Sequence, residues 1–356
     1  MKKLAFKRRA KKSVQEQAPM RITNETVAEH REQILAGGRR FKYPMQYARH
    51  KLVINAIIIT VAALILLVVL AWQQLYVAQN TGTFFYRVTR VLPLPVATVD
   101  GHTVEYSDYL MYYRGSVHYL QQNERVNLAD KDGKRQVDYN KRKALSGAEL
   151  DAYAHKLAGE LNISIADSQI DNEISEARNT SNGRISQETY DASTMSVLGW
   201  SPEENRRVIR NNLTRLAVAY AIDTKAKEQA DKAAELVKAP DADFDKIAAE
   251  LGGEGKAKVE SRISGLVPFT NLDGGLSAAA AKLQKGQVSG VIKTTKVDGY
   301  YFVKLLDKTD TQLSYAYLRI PLTMFNEQFE SLKSQGKVKE HISIPALEAQ
   351  SQSQTQ

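Results

Sequence analysis

Six histidines, no cysteine and one Asp-Lys-Asp-Gly run are the first side chains in this 356-residue sequence from which acid–base, thiolate or metal chemistry could be built. The missing cysteine removes thiol catalysis, Cys-ligated metals and disulfide frameworks together. His102 sits beside a tight turn, and His118 and His155 fall on helical patterns. No metal-ligand spacing relates them, so they read as surface or structural residues, and none follows until His341. Asp130-Lys131-Asp132-Gly133 has Leu128 where a calcium loop needs an earlier acid and Tyr139 where it needs the closing Glu, so it reads as a solvated turn. No Gly-x-Ser-x-Gly elbow supports a hydrolase. No metal and no cofactor is assigned.

What positions these residues begins with an apolar run. Leu52 to Trp72 is broken only by Asn55 and Thr60. At about 1.5 Å per helical residue it covers a bilayer core of roughly 30 Å. Residues 1–52 carry fourteen Lys/Arg against four Glu, whereas residues 53–356 carry thirty-five against thirty-six acids. Basic residues flanking a span stay cytoplasmic, so Arg39, Arg40, Lys42, Arg49 and Lys51 put the N-terminus inside and the bulk of the chain outside. A cleaved leader would have a shorter basic region and a shorter apolar core, so the run reads as a signal anchor. The sequence pI of 9.3 comes from this juxtamembrane tail, which suits anionic lipid and not nucleic acid.

About 280 residues remain, enough for two domains. Val96–Val104 holds two β-prone runs around Asp100-Gly101, a hairpin signal. Ser107 then opens a helix with Leu110, Tyr113, Val117 and Leu120 on one face. Gln121–Ser146 is charged and aperiodic, and is expected to be a surface loop. Helical spacing returns at Leu150, Tyr153, Leu157 and Leu161, and again at Ile170, Ile174 and Ala177. Ser201-Pro202-Glu203-Glu204 combines a cap, a first-turn proline and a Glu three residues on, predicting a long helix to about Ile222 striped by Ile209, Leu213, Leu216 and Tyr220. Beyond Pro240, Phe244, Ile247 and Leu251 share a helical face. An Ala-rich helix is expected over Ser277–Leu283, strands over Val288–Thr295 and Tyr300–Leu306 around Asp298-Gly299, a further strand at Ser314–Ile320, and a helix near Phe325–Lys333.

This order of parts resembles the SurA/PrsA/PpiD group of extracytoplasmic bacterial chaperones and foldases. The resemblance rests on Val-Ala-Thr-Val-Asp-Gly-His-Thr-Val followed by Ser-Asp-Tyr, on Leu198-Gly199-Trp200-Ser201-Pro202-Glu203-Glu204, and on Ala242-Asp243-Phe244 with Leu283-Gln284-Lys285-Gly286-Gln287-Val288-Ser289 and Gly299-Tyr300-Tyr301. It implies a helical chaperone domain followed by a parvulin-type prolyl isomerase domain. Active parvulins carry paired histidines on adjacent strands. Tyr301 stands at one of those positions, and Tyr315-Ala316-Tyr317, which lies after the module, is the nearest counterpart of the other strand. The resemblance further places Phe269, Leu272 and Leu276, with Tyr301, in a substrate-binding pocket without a catalytic residue. Read from the residues alone, the three apolar side chains are equally core, and Tyr300 and Tyr301 are cross-strand packing.

The expected architecture is α+β: a basic cytoplasmic tail (1–51), a transmembrane helix (52–74), a linker (75–95), a SurA-like helical domain (96–239) and a parvulin-like domain (240–312). A C-terminal strand and helix packing back on the earlier domains (313–348) and a disordered tail (349–356) complete it. The expected function is a membrane-anchored extracytoplasmic folding factor that binds unfolded or newly translocated polypeptides, with weak or absent isomerase activity. An active parvulin-type isomerase and a non-catalytic envelope scaffold with one fixed partner are the alternatives.

Overall fold

The computed structural model describes residues 23–42, 44–180, 183–239, 242–295 and 299–345. The expected tail 349–356, residues 1–22 of the basic segment, Pro240 and Asp298 lie outside these residues. The chain divides after Gln73 into two units. The first contains helices α1 (Asn24–Lys42) and α2 (Pro44–Trp72). The helix from His50 to Val77, which ends in a π-helical turn over Gln73–Val77, is long and apolar enough to cross a membrane, and its most apolar stretch has no buried side chain.

The second unit is α+β. Helix α3 (Thr83–Val91) leads to strands β1 (Pro95–Val99) and β2 (His102–Glu105), then to helices α4 (Tyr106–Gln122), α5 (Lys131–Leu161) and α6 (Asp167–Ala177). A small hairpin, β3 (Asn179–Thr180) and β4 (Gly183–Arg184), precedes α7 (Gln187–Leu198), α8 (Pro202–Ile222), α9 (Thr224–Leu236) and α10 (Phe244–Leu251). Then come β5 (Glu260–Ile263), β6 (Val267–Pro268), α11 (Leu276–Ala280), β7 (Ile292–Lys293), β8 (Gly299–Lys308), β9 (Gln312–Pro321), α12 (Met324–Ser334) and β10 (Val338–Glu340).

Local chemistry fixes the key turns. Asp100 and Gly101 both adopt positive φ, 46° and 82°. That is what a two-residue hairpin turn requires between right-twisted strands. Ser201 Oγ accepts from Glu204 N at 3.2 Å while Glu204 Oε2 accepts from Ser201 N at 2.8 Å, a reciprocal cap that starts α8. Asp223 works at two helices: Oδ1 accepts from Ala226 N in α9 at 3.0 Å, and Oδ2 accepts from Thr323 N and Met324 N at 2.7 and 3.0 Å at the start of α12.

Strand β10 pairs antiparallel with β1, Ala97 opposite Glu340 and Val99 opposite Val338, so the end of the described chain closes a three-stranded sheet with the hairpin. Phe325 and Phe329 of α12 pack on Tyr153 of α5 at ring distances of 5.2 and 5.8 Å. The larger sheet has the order β5-β9-β8-β7, with β6 on β9. Alternate residues of β8 face opposite sides: Tyr300 and Phe302 join the core with α9 and α10, while Tyr301, Val303 and Leu305 pack with α11. Both faces being covered, the strand is a continuous apolar run.

Three expectations need correction. Gln121–Ser146 is not a loop, because α5 starts at Lys131 with Asp130 Oδ1 accepting from Gly133 N at 2.7 Å. Its first four turns bury small or polar side chains, Gly133, Asn140 and Ala144, so they lack the apolar stripe that marks a helix in sequence. Val288–Thr295 yields only the two-residue β7 and an isolated bridge from Val288 to Lys304, because Ser289 Oγ takes the Val303 amide at 3.0 Å in place of a backbone partner. The Ala-rich helix stops at Ala280, breaking into single turns before Gly286 at φ 82°.

Candidate functional site

The sheet brings together three of the four residues named from the sequence. Leu276, Tyr301 and Phe269 belong to one cluster with Val303, Leu305 and Tyr315, and Leu276 and Tyr301 are buried to within 4% of full exclusion. Leu272 stands apart, 55% exposed. Phe269 is half-buried, with Lys308 Nζ 5.5 Å from its ring centre. Antiparallel pairing puts Val303 opposite Tyr317 and Leu305 opposite Tyr315, and the Tyr317 ring lies 6.0 Å from that of Tyr301 and 6.2 Å from that of Tyr315.

The Tyr315 hydroxyl of this patch is engaged in holding it shut. Tyr315 Oη donates to Asp273 Oδ2 at 2.8 Å, and Ser277 Oγ donates to the same oxygen. Asp273 also accepts from Ser277 N at 3.0 Å and from Asn271 Nδ2 at 3.0 Å. Burial, reinforced by the hydrogen bond to Asp273, raises the Tyr315 phenol above its usual value. A phenol so held keeps its proton at neutral pH and is no general base.

A larger surface lies over α5. A groove of about 910 Å³ has α5 as its floor and Tyr112 and Tyr119 of α4, Tyr139 and Leu150 of α5, Leu198 and Trp200 among its lining. Trp200 is seated because residue 115 is glycine: a Cβ there would meet the indole nitrogen at 2.5 Å. That nitrogen donates to Met111 O at 3.3 Å. Below the groove, Asp151 accepts from Tyr112 Oη at 2.5 Å, Asn211 Nδ2 at 3.1 Å and Arg215 Nη1 at 3.1 Å, tying α4, α5 and α8 into one support.

Two buried polar atoms in this lining have no hydrogen-bond partner among the described residues: Arg142 Nε and Glu149 Oε1. Glu149 is only 2% exposed, and burial, helped by Glu340 and opposed by Lys333 and Arg142, pushes its carboxyl from the usual 4.5 up to about 7. The other two nitrogens of Arg142 are used, Nη1 on Glu340 Oε1 at 2.5 Å and Nη2 on Ile344 O. Reading 121–146 as a loop missed this groove. The usable signal was the recurrence of Val137, Asn140, Ala144 and Ala148 at helical spacing, with small side chains where apolar ones usually stand.

A helical layer hung on a hairpin, with a sheet module beyond it, makes the second unit an α+β fold. Residues 45–219, a little under half of the chain, match the SurA-like N-terminal domain family. The match runs from α2 into α8, contains the whole groove floor, and supports kinship with the SurA and PpiD chaperones. No curated protein matches the chain.

Proposed function

We propose that the protein is a membrane-anchored, extracytoplasmic folding factor that holds unfolded or newly translocated polypeptide in the groove over α5. The observation that carries this is the groove itself, open and walled by Tyr112, Tyr119 and Tyr139. Arg142 Nε lacks an acceptor and Glu149 Oε1 lacks a donor, seven residues or about 10 Å apart on one helix. Buried polar groups are normally paired. Both atoms are enclosed, so they mark unsettled packing beneath the groove, and an extended polypeptide would lie against the aromatic wall of the groove. The aromatic wall of Tyr112, Tyr119 and Tyr139 would take apolar side chains of that chain, giving sequence-tolerant binding.

The one-sided basic excess before the apolar helix supports an N-in anchor with residues beyond about 74 outside. The sheet module supports descent from a parvulin-like domain. Its strand β9, carrying Tyr315 and Tyr317, occupies the place beside β8 although it follows β8 in the chain. With tyrosines at both positions where paired histidines would stand, isomerase activity is expected to be weak or lost. Phe269 and Leu272 remain secondary client contacts in this reading.

The test uses the full chain in lipid nanodiscs. It should suppress aggregation of an unfolded client while accelerating X-Pro isomerisation in a short peptide little, and Tyr119→Ser with Tyr139→Ser should remove the suppression. Suppression unchanged by that pair of substitutions would sink the groove. Strong isomerase activity would favour the enzyme reading, and stoichiometric binding to one folded partner would favour a scaffold.

A further inference from the structure

Helix α3 has one face inside the fold and another that is exposed, where the Phe84 ring touches only the edge of Phe85 among the ring contacts of the described residues. Tyr86 and Thr89 are buried, and Phe85 packs on the main core. On the other side, Phe84 is 70% and Val91 79% exposed, the two most exposed of the large apolar side chains described in the second unit. They are seven residues apart, hence on one helical face, with the exposed Arg87 between them. Leu92 continues the apolar edge, 52% exposed. From Gln74 to Pro95 the sequence has Arg87 and Arg90 and no acid.

Position along the chain says what covers this face. Only five residues, 78–82, separate Val77, the end of the apolar helix, from Thr83. A fully extended link of that length reaches about 20 Å. On the reading that His50–Val77 spans the membrane, α3 cannot leave the neighbourhood of the lipid surface. Arg90 is held by Glu203 at 3.4 Å, which leaves Arg87 with the apolar side chains, and a short helix with bulky apolar side chains and a basic residue on its exposed side suits the plane of an anionic interface. We infer that α3 lies flat on the outer leaflet, Phe84, Val91 and Leu92 entering the boundary between headgroups and acyl chains and Arg87 meeting lipid phosphate. The contact would give the second unit a fixed seat on the bilayer in place of a free tether.

The absence of cysteine makes the test direct. Single variants Phe84→Cys, Val91→Cys, Leu64→Cys and Ile263→Cys of the full chain are labelled with an environment-sensitive fluorophore and reconstituted into phosphatidylcholine–phosphatidylglycerol vesicles carrying a nitroxide lipid, shallow for 84, 91 and 263 and deep in the acyl chain for 64. Residues 84, 91 and 263 are all exposed, so little packing is lost at the sites compared, Phe84 giving up its edge contact with Phe85. Quenching at 84 and 91 should exceed that at 263 by about twofold or more, and should fall in pure phosphatidylcholine or with an added Arg87→Glu. Quenching at 64 with labels at 84 and 91 no more quenched than at 263 would overturn the seat and leave the anchor standing. An unquenched label at 64 would overturn both. Quenching at 84 and 91 that ignores lipid charge and Arg87→Glu would overturn the anionic interface as the occupant.

Discussion

The tyrosine patch on the sheet and the groove over α5 use similar side chains, yet their polar atoms end differently. In the patch, Tyr315, Ser277 and Asn271 converge on Asp273, which is thereby saturated. In the groove, Tyr112 is anchored on Asp151, but Arg142 Nε and Glu149 Oε1 point into buried space without partners. A tyrosine whose hydroxyl is tied to a saturated carboxylate is fixed in a core, whereas the exposed aromatic side chains of the groove remain open to a ligand. Family resemblance drew attention to the first region; the physical state of the side chains draws it to the second.

The largest effect that can break this comparison is Leu276→Asp. If the patch is core, a carboxylate placed there should cost roughly 3 kcal/mol or more and lower the melting temperature sharply. Tyr139→Asp in the groove, 43% exposed, should change stability by less than about 0.5 kcal/mol while weakening client binding. Equal melting curves for the two variants would remove the distinction.

Glu149→Gln comes next. The folded protein holds this proton more tightly than the unfolded chain does, so the carboxylate lowers stability above pH 7. That loss shrinks as the pH falls from 7 and is gone below about 4.5, where both states are protonated. The variant should therefore be more stable than the parent at pH 8 by on the order of 1–3 kcal/mol, and equal to it near pH 4. Asp108, which burial raises to about 6, titrates in both proteins and cancels in the difference. A constant offset across this range would mean that Glu149 is not the buried acid described. A smaller effect is expected from Tyr315→Phe, which removes one hydrogen bond to Asp273 and should cost about 1 kcal/mol by chemical denaturation, with client binding unchanged.

Much of the fold was readable where local chemistry decides it. Asp100-Gly101 demanded a hairpin, and Ser201-Pro202-Glu203-Glu204 demanded the start of α8. Where tertiary packing decides, the sequence was silent. Asn140 and Ala144 line a buried helix face without looking apolar, and Glu149 reads as a surface acid until the fold encloses it. The neighbours of β8 could not be deduced from strand propensity alone, because β9 reaches its place from later in the chain. Of the pocket residues, Leu276 and Tyr301 were legible as apolar but not as enclosed, and only Leu272 is largely open.

The most direct measurement places a photoreactive amino acid at Tyr139 in one full-length variant and at Leu272 in another, both in nanodiscs with the same labelled unfolded client. Both sites are exposed, so neither substitution disturbs the core. The client should crosslink at 139, with at most a minor product at 272. Crosslinking at 272 with none at 139 would contradict the groove and return client binding to the sheet.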